Sequence, residues 1–278
     1  MWRLILLAFV MLSPVAKAQQ VVRVVTWNLK WFPGGSPNAS EEAKQSHITE
    51  VAAEICKLNP DVLVLQEVHV EREVDLATWF SHGAQRLTTH VVSTFKETFS
   101  GAVSRQQIAI LSRFPADSAW AEAWKRGWAN APRGYVFARL QLDANHSICV
   151  YGLHLKSNLG DAVSNTSKRE DATDQLLEHI GSQVRPTEPV IVCGDFNTSL
   201  DDSRFIGDSS LRKIQQAGFF WTFEGIDHSA RVTVPAVGSY PDACFDHIFT
   251  RRLGRPVAQV KEASGSDHYP VVVDIVVE

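Results

Sequence analysis

Apolar positions along this chain change their spacing repeatedly, and the changes mark out alternating strands and helices. "VVRVVTWNL" (21–29) is a β-branched run ending in Trp27-Asn28 and predicts a strand. In "SEEAKQSHITEVAAEICKL" (40–58) the period lengthens: Ile48, Val51, Ala52, Ile55 and Leu58 recur at helical spacing. Ser40 stands as N-cap, with two acids in the first turn. "DVLVLQEV" (61–68) is a short apolar strand ending in Gln66-Glu67, and weaker strands follow near 88–95 and 107–112. "GYVFARLQL" (134–142) and "SICVYGLHL" (147–155), joined by the turn-like "DANH", predict paired neighbours. A helix over 166–182 carries Ala172, Leu176, Leu177 and Ile180 on one face. "PVIVCGDFN" (189–197) is the next strand, followed by a helix near 208–217. "CFDHIFT" (244–250), 256–261 and "YPVVVDIVV" (269–277) complete the series as strands. "WAEAWKRGWANAPRGY" (120–135) spaces Trp120, Trp124 and Trp128 four apart. It predicts either one packed helical face or an exposed aromatic loop, able to stack bases or to dip into a membrane interface.

Strands and helices interleave without repeats or a long linker, which predicts one domain of two sheets packed face to face with helices outside. The first eighteen residues differ. A positive start at Arg3, an apolar run from Leu4 to Leu12 and the small-x-small Ala16-Lys17-Ala18 predict a signal peptide, 1–18, ahead of a domain over 19–278. The expected location is therefore periplasmic or extracellular, and no later stretch is long and apolar enough to span a bilayer. The full chain of 278 residues carries 27 basic and 31 acidic residues, net −4; without Arg3 and Lys17, 25 against 31 leave −6. Bulk charge therefore does not hold nucleic acid, and a polyanion would need a local basic rim. Cys56, Cys149, Cys193 and Cys244 fit no zinc spacing, leaving disulfides or free thiols equally open.

Five predicted strands are followed by polar residues of catalytic type. They are "TWN" (Asn28), "LQEV" (Glu67), "GLHLKSN" (His154, Lys156, Asn158), "GDFN" (Asp195, Asn197) and "SDHYP" (Asp267, His268), and Asp246 lies within "FDHIF". Rigid strands projecting acids and amides to one rim would suit a hard cation, Mg²⁺, Mn²⁺ or Ca²⁺. Histidines beside them could move protons or hold a phosphoryl oxygen.

In this order the motifs resemble the endonuclease/exonuclease/phosphatase superfamily over residues 22–277, with "GDFN" and "SDHYP" the most specific. The resemblance implies a DNase I-like, four-layer α-β-β-α sandwich with two mixed sheets flanked by helices. It also implies Mg²⁺- or Mn²⁺-dependent phosphate ester hydrolysis. By matching positions, Asn28, Glu67 and Asp267 would hold the metal, Asp195 would orient or deprotonate water, and Asn197 would hold a phosphate oxygen. His268 would contact the scissile phosphate, kept protonated by Asp246, while His154 would serve the departing oxygen. Two imidazoliums are expected. One departure is Gln106, which stands where relatives support the second histidine with a glutamate.

The substrate follows less directly. Lys156, Asn158, Arg133 and Arg169, with Lys168, Arg105 and Arg113, are candidates for a basic, substrate-binding rim; Lys168 and Arg169 are expected at a helix N-terminus. The leading expectation is an exported, monomeric nuclease cutting DNA with little sequence preference. The alternative is a phosphodiesterase of sphingomyelin or another phospholipid with peripheral membrane contact. A non-catalytic binding protein of the same fold is the third reading, disfavoured by the intact set of acids, amides and histidines.

Overall fold

Val22 and Val24 alternate with Val25 and Trp27, and that alternation shares the first strand, β1 (Gln20–Phe32), between two hydrophobic cores. The computed structural model describes residues 20–70, 73–83, 86–128 and 131–277; the expected signal segment, 1–18, lies outside them. After β1 come α1 (Glu41–Leu58), β2 (Val62–Val68), α2 (Glu73–Phe80), β3 (Thr88–Val92), β4 (Gln107–Ser112) and β5 (Ala116–Ala123). There follow β6 (Gly134–Gln141), β7 (Ser147–His154), α3 (Ala162–Gln183), β8 (Val190–Asp195) and α4 (Ser210–Gln216). The chain closes with β9 (Phe220–Trp221), β10 (Asp246–Arg251), β11 (Gln259–Val260) and β12 (Val271–Val277).

The strands form two mixed six-stranded sheets, ordered β11-β12-β1-β2-β4-β3 and β5-β6-β7-β8-β10-β9. Each contains one parallel pair bridged by a long helix: β1 and β2 through α1, β7 and β8 through α3. The last strand, β12, returns to the first sheet and pairs antiparallel with β1. Val25, Trp27, Leu63 and Leu65 pack with Val51 and Ile55 of α1 and with Leu76 and Phe80 of α2. Val22, Val24, Val62 and Val64 belong instead to the core shared with the second sheet, which continues to Leu176 and Ile180 of α3. The result is four layers, helix-sheet-sheet-helix.

Local signals account for several boundaries. Ser40 Oγ accepts the Ala43 amide at 3.2 Å, and Asn59 ends α1 in the left-handed region at φ 49°. Helix α3 starts earlier than the apolar pattern suggests, because Asp161 caps it by accepting the Ser164 amide. Lys168 and Arg169 consequently sit inside the helix, away from its N-terminus.

The tryptophan stretch departs from the helical expectation. Trp120 lies in β5, in register with Phe137 of β6, and their rings stand 4.3 Å apart. Trp124 follows the strand and is buried, while Trp128 lies under the Lys168 ammonium at 4.2 Å. The alanine-rich segment can form helix, but the open edge of β6 gives its backbone a partner, and tertiary pairing prevails over local propensity. The pattern also passes over α2 and β9. All four cysteines are free, Cys56 exposed and the others buried. Among the described residues no helix is long and apolar enough to cross a membrane.

Two glycines separate packing from propensity. A Cβ on Gly152, mid-strand in β7, would stand 2.5 Å from Val64 Cγ1 across the sheets and 2.9 Å from Val136 Cγ2. One on Gly181, in α3, meets nothing within 4 Å. Gly152→Val is expected to destabilise by at least about 1–3 kcal/mol through overpacking. Gly181→Ala is expected to stabilise by about 0.5–1 kcal/mol. Chemical denaturation of the two variants checks both signs.

Candidate active site

Strand β8 pairs with β7 on one side and β10 on the other, and the register sets His154, Asp195 and Asp246 opposite one another. Opposed residues point to the same face of a sheet, so these three side chains form a row at one edge. Asn28 and Glu67 come from β1 and β2 of the facing sheet. His268 arrives on the loop before β12, which is tied to β1. Ser266 Oγ donates to the Asn28 carbonyl at 2.6 Å, and the Trp27 indole donates to the His268 carbonyl at 2.8 Å. Three residues from each sheet, or its adjoining loop, thus meet across the seam.

Glu67 would not face this seam in a regular strand. Leu63 and Leu65 point toward α1 and α2, and two-residue alternation would send position 67 the same way. Instead the register with β4 slips between Leu65 and Val68, and Glu67 adopts φ 59°. Such a bulge re-aims a side chain. Glu67 Oε1 then lies 3.3 Å from Asn28 Nδ2 and 3.9 Å from His154 Nε2, while Oε2 accepts the Trp31 amide at 3.1 Å. Beyond β8, Asn197 also takes a left-handed conformation, φ 53°, which asparagine tolerates. Between them, Gly194 has φ 141° and any Cβ would lie 2.0 Å from the Leu153 carbonyl oxygen, so only glycine fits.

The electrostatics follow from burial and neighbours. Burial lifts the Asp195 carboxyl to about 7; Asp246 adds to the rise, while His268, the Asn197 amide and Arg133 oppose it. Its Oδ2 lies 3.0 Å from Asn28 Nδ2 and 3.4 Å from His154 Nε2, and Oδ1 accepts the Asn197 amide at 2.8 Å. For His268, burial favours the neutral ring, but Asp246 outweighs it through charge and a 2.7 Å hydrogen bond to Nδ1, raising the imidazole to about 10. His154 moves the other way. Burial, with Arg133 and His268 nearby, holds it well below 6.5, and among the described residues its Nδ1 has no hydrogen-bond partner. Among these two histidines the site therefore holds one imidazolium and one neutral imidazole, where two imidazoliums were expected.

The remaining sequence candidates divide. Arg133 donates to the Leu155 carbonyl at 2.6 Å and to Gln106 Oε1 at 2.9 Å, and its charge is felt by both Asp195 and His154. Gln106 thus meets Arg133, not His154. Asn158 Nδ2 donates to the Asn197 carbonyl at 2.9 Å, and Asn197 Nδ2 reaches the Leu155 carbonyl at 3.3 Å. Arg169 is not on a rim: it is 2% exposed, bonded to Asp208 at 2.6 Å, to the Lys156 carbonyl and to Asn158 Oδ1. It braces the loop from inside. Lys156 folds back onto Ser157 and the Leu159 carbonyl. Arg113 pairs with Asp61. Asp267 is exposed and pairs with Lys30 Nζ at 3.2 Å. Thr233 escaped the sequence reading: its Oγ1 accepts the Phe245 and Asp246 amides, and its carbonyl accepts Tyr269. No motif marks it, because it lies in an irregular segment thirteen positions from Asp246.

A hard divalent cation fits these donors. Glu67, Asp195 and Asp246 gather carboxylate oxygens, and among the described residues Asp246 Oδ1 is buried without a partner; Asn28 turns its Nδ2 to Glu67 and Asp195, so it would join a cation through Oδ1, the oxygen that accepts the Lys30 amide. Asp195, Asp246 and His268 offer ligand atoms within 4.8 Å of one another. The hydrogen bond from His268 to Asp246 and the proton it retains make that group a charged acid–imidazole pair, which leaves Glu67 and Asn28 as the natural cation holders.

The pair has a measurable consequence in metal-free protein. The folded value of His268 lies above the unfolded value of about 6.5. Its stabilisation is therefore complete below that pH and is lost as pH rises through about 10. NMR titration should show His268 protonated across neutral pH, with Asp246→Asn bringing its transition into the neutral range. A transition still near 10 in that variant would show that another group holds the proton.

Residues 25–268 match the Endonuclease/Exonuclease/phosphatase family. A UPF0294 protein of Vibrio campbellii is 26% identical over 219 residues, covering 77% of this chain and 67% of its own length. Among solved structures, an endonuclease/exonuclease/phosphatase family protein from Bacteroides thetaiotaomicron aligns with TM-score 0.68 at 15% identity, over 94% of this chain and 100% of that one. TDP2 of D. rerio, complexed with a single strand DNA product, aligns with TM-score 0.66 at 15% identity, over 92% and 98%. With that match spanning both sheets and every strand end at the seam, the chain belongs to the endonuclease/exonuclease/phosphatase family, whose members are generally phosphoric ester hydrolases.

Proposed function

We propose that the protein is an exported, divalent-cation-dependent phosphodiesterase that acts as a nuclease on DNA with little sequence preference. The observation that carries this reading is the meeting of Asn28, Glu67 and His268 with His154, Asp195 and Asp246 at one seam. A cation held by Glu67 and Asn28 would supply charge stabilisation for the phosphoryl oxygens. Asp195, whose affinity for a proton is raised by burial, is suited to accept the proton of an attacking water. As the water oxygen, its proton passing to Asp195, bonds to phosphorus and the ester oxygen leaves, negative charge grows on the non-bridging and departing oxygens. The His268 imidazolium would hydrogen-bond a non-bridging oxygen from one side of the seam, and His154 presents Nε2 from the other. These donors stand in position before reaction because strands, and for His268 a loop tied to β1, hold them.

Trp120 and Trp124 pack inward and Trp128 is covered by Lys168, so this trio forms no aromatic tip for entering a lipid surface. Export rests on the pattern of residues 1–18.

The test is hydrolysis by purified protein of plasmid DNA, RNA, sphingomyelin and a bis-aryl phosphodiester, with Mg²⁺, Mn²⁺ or Ca²⁺ and with chelator. DNA cleavage that chelator abolishes is expected. Asp195→Ala and His154→Ala should each lower the rate by about 10²–10⁴-fold, as lost acid–base or electrostatic groups do. Cleavage of sphingomyelin alone would replace the nuclease reading, and near-native rates in either variant would remove that residue's role.

A further inference from the structure

The chain does not end its work at Asn28 and Glu67. Strand β1 continues through Trp31 and Phe32, the chain after β2 through His69 and Val70, and both extensions wall a second cavity of ≈ 340 Å³. That volume falls within the roughly 300–1,000 Å³ of small-ligand sites. Trp31, Trp79, Pro33 and Pro37 give it flat apolar walls; Gln45 and Arg105 bring polar groups to it. Both indoles are only partly buried, and Arg105 is exposed, anchored by a hydrogen bond to the Pro37 carbonyl.

The backbone ties this cavity to the seam. Lys30 and Trp31 have φ of 45° and 51°, a left-handed conformation that is costly for a bulky residue. Two hydrogen bonds hold it, from the Lys30 amide to Asn28 Oδ1 at 3.0 Å and from the Trp31 amide to Glu67 Oε2 at 3.1 Å. The two side chains assigned to the cation therefore also fix the indole wall. A group seated against Trp31 would be set at a defined offset from a phosphate at Glu67.

We infer that this cavity is a nucleobase subsite, receiving the base of a nucleotide beside the scissile phosphate against Trp31 and Trp79, with Arg105 facing the backbone. The inference rests on the nuclease reading and names the part of the substrate that is recognised. Indole walls suit any base, because every base has a π-face, so such a subsite fixes position without selecting sequence. Indole and proline walls suit a flat ring, while the lining carries both signs of charge, Arg105 and Lys44 with Glu41 and Asp75, so the ring rather than the phosphate is what the cavity would hold.

Two measurements test it. In ¹⁵N-labelled wild-type protein, dAMP should shift the Trp31 and Trp79 indole signals, and deoxyribose 5-phosphate should not. Equal shifts from both, no shift at these indoles, or shifts with phosphocholine in place of dAMP would overturn the subsite. In cleavage of oligonucleotides, an abasic residue at one position next to the cut should lower the wild-type rate by about 5- to 150-fold, the range of one lost stack. In Trp31→Ala that preference for the intact strand should fall toward unity; an undiminished preference would also overturn it. If wild-type protein cleaves no oligonucleotide, the nuclease reading fails, and the indole shifts still decide whether the cavity takes a base.

Discussion

Three carboxylates share one seam between two sheets, and their mutual repulsion is the constraint around which the site is built. Asp195 and Asp246 are fixed opposite each other by the pairing of β8 with β10, and Glu67 is brought against them from β2 of the facing sheet. Burial makes such a cluster expensive unless cations or hydrogen-bond donors face it. The described residues supply His268, Arg133, the Asn28 amide and the backbone N–H groups of Trp31 and Asn197. The charge excess that remains is what makes a divalent cation a fitting partner.

Backbone irregularities aim these groups. The bulge at Glu67 carries a side chain from the helix-facing side of β2 to the seam, and Gly194 allows β8 to pass against Leu153 while delivering Asp195. Asn197 turns left-handed and is pinned by Asp195, Leu155 and Asn158. Behind that loop, Arg169 and Asp208 form a buried pair. Residues that look like substrate contacts in the linear chain thus serve as braces for those that face the seam. These braces fix the side chains at the seam in one arrangement, the condition that preorganised electrostatic stabilisation requires.

The two histidines show how position alone divides one chemistry into two. Both rings are buried, which favours the neutral form. His268 touches Asp246 and keeps its proton; His154 lies 3.4 Å from Asp195 but also near Arg133 and His268, and loses its own. Thr233 supports the charged pair from behind by holding the Asp246 amide and the Tyr269 amide together.

Much of this was legible in the chain. Alternation of apolar residues marks most strands, Ser40 marks the start of α1, and the acids and amides of "GDFN" and "SDHYP" mark strand ends where polar groups have no place in a core. These signals are local: they record which face of an element is buried and where it stops. Tertiary structure alone decided the rest. Whether Glu67 faces the seam depends on a bulge against β4, whether Asp267 pairs with Lys30 depends on how the last loop meets β1, and whether Arg169 meets solvent depends on Asp208 thirty-nine residues away. The helix-like spacing of Trp120, Trp124 and Trp128 gave way to an open strand edge. Sequence period reports burial, whereas charge pairing, protonation and side-chain direction depend on distances between elements that only packing sets.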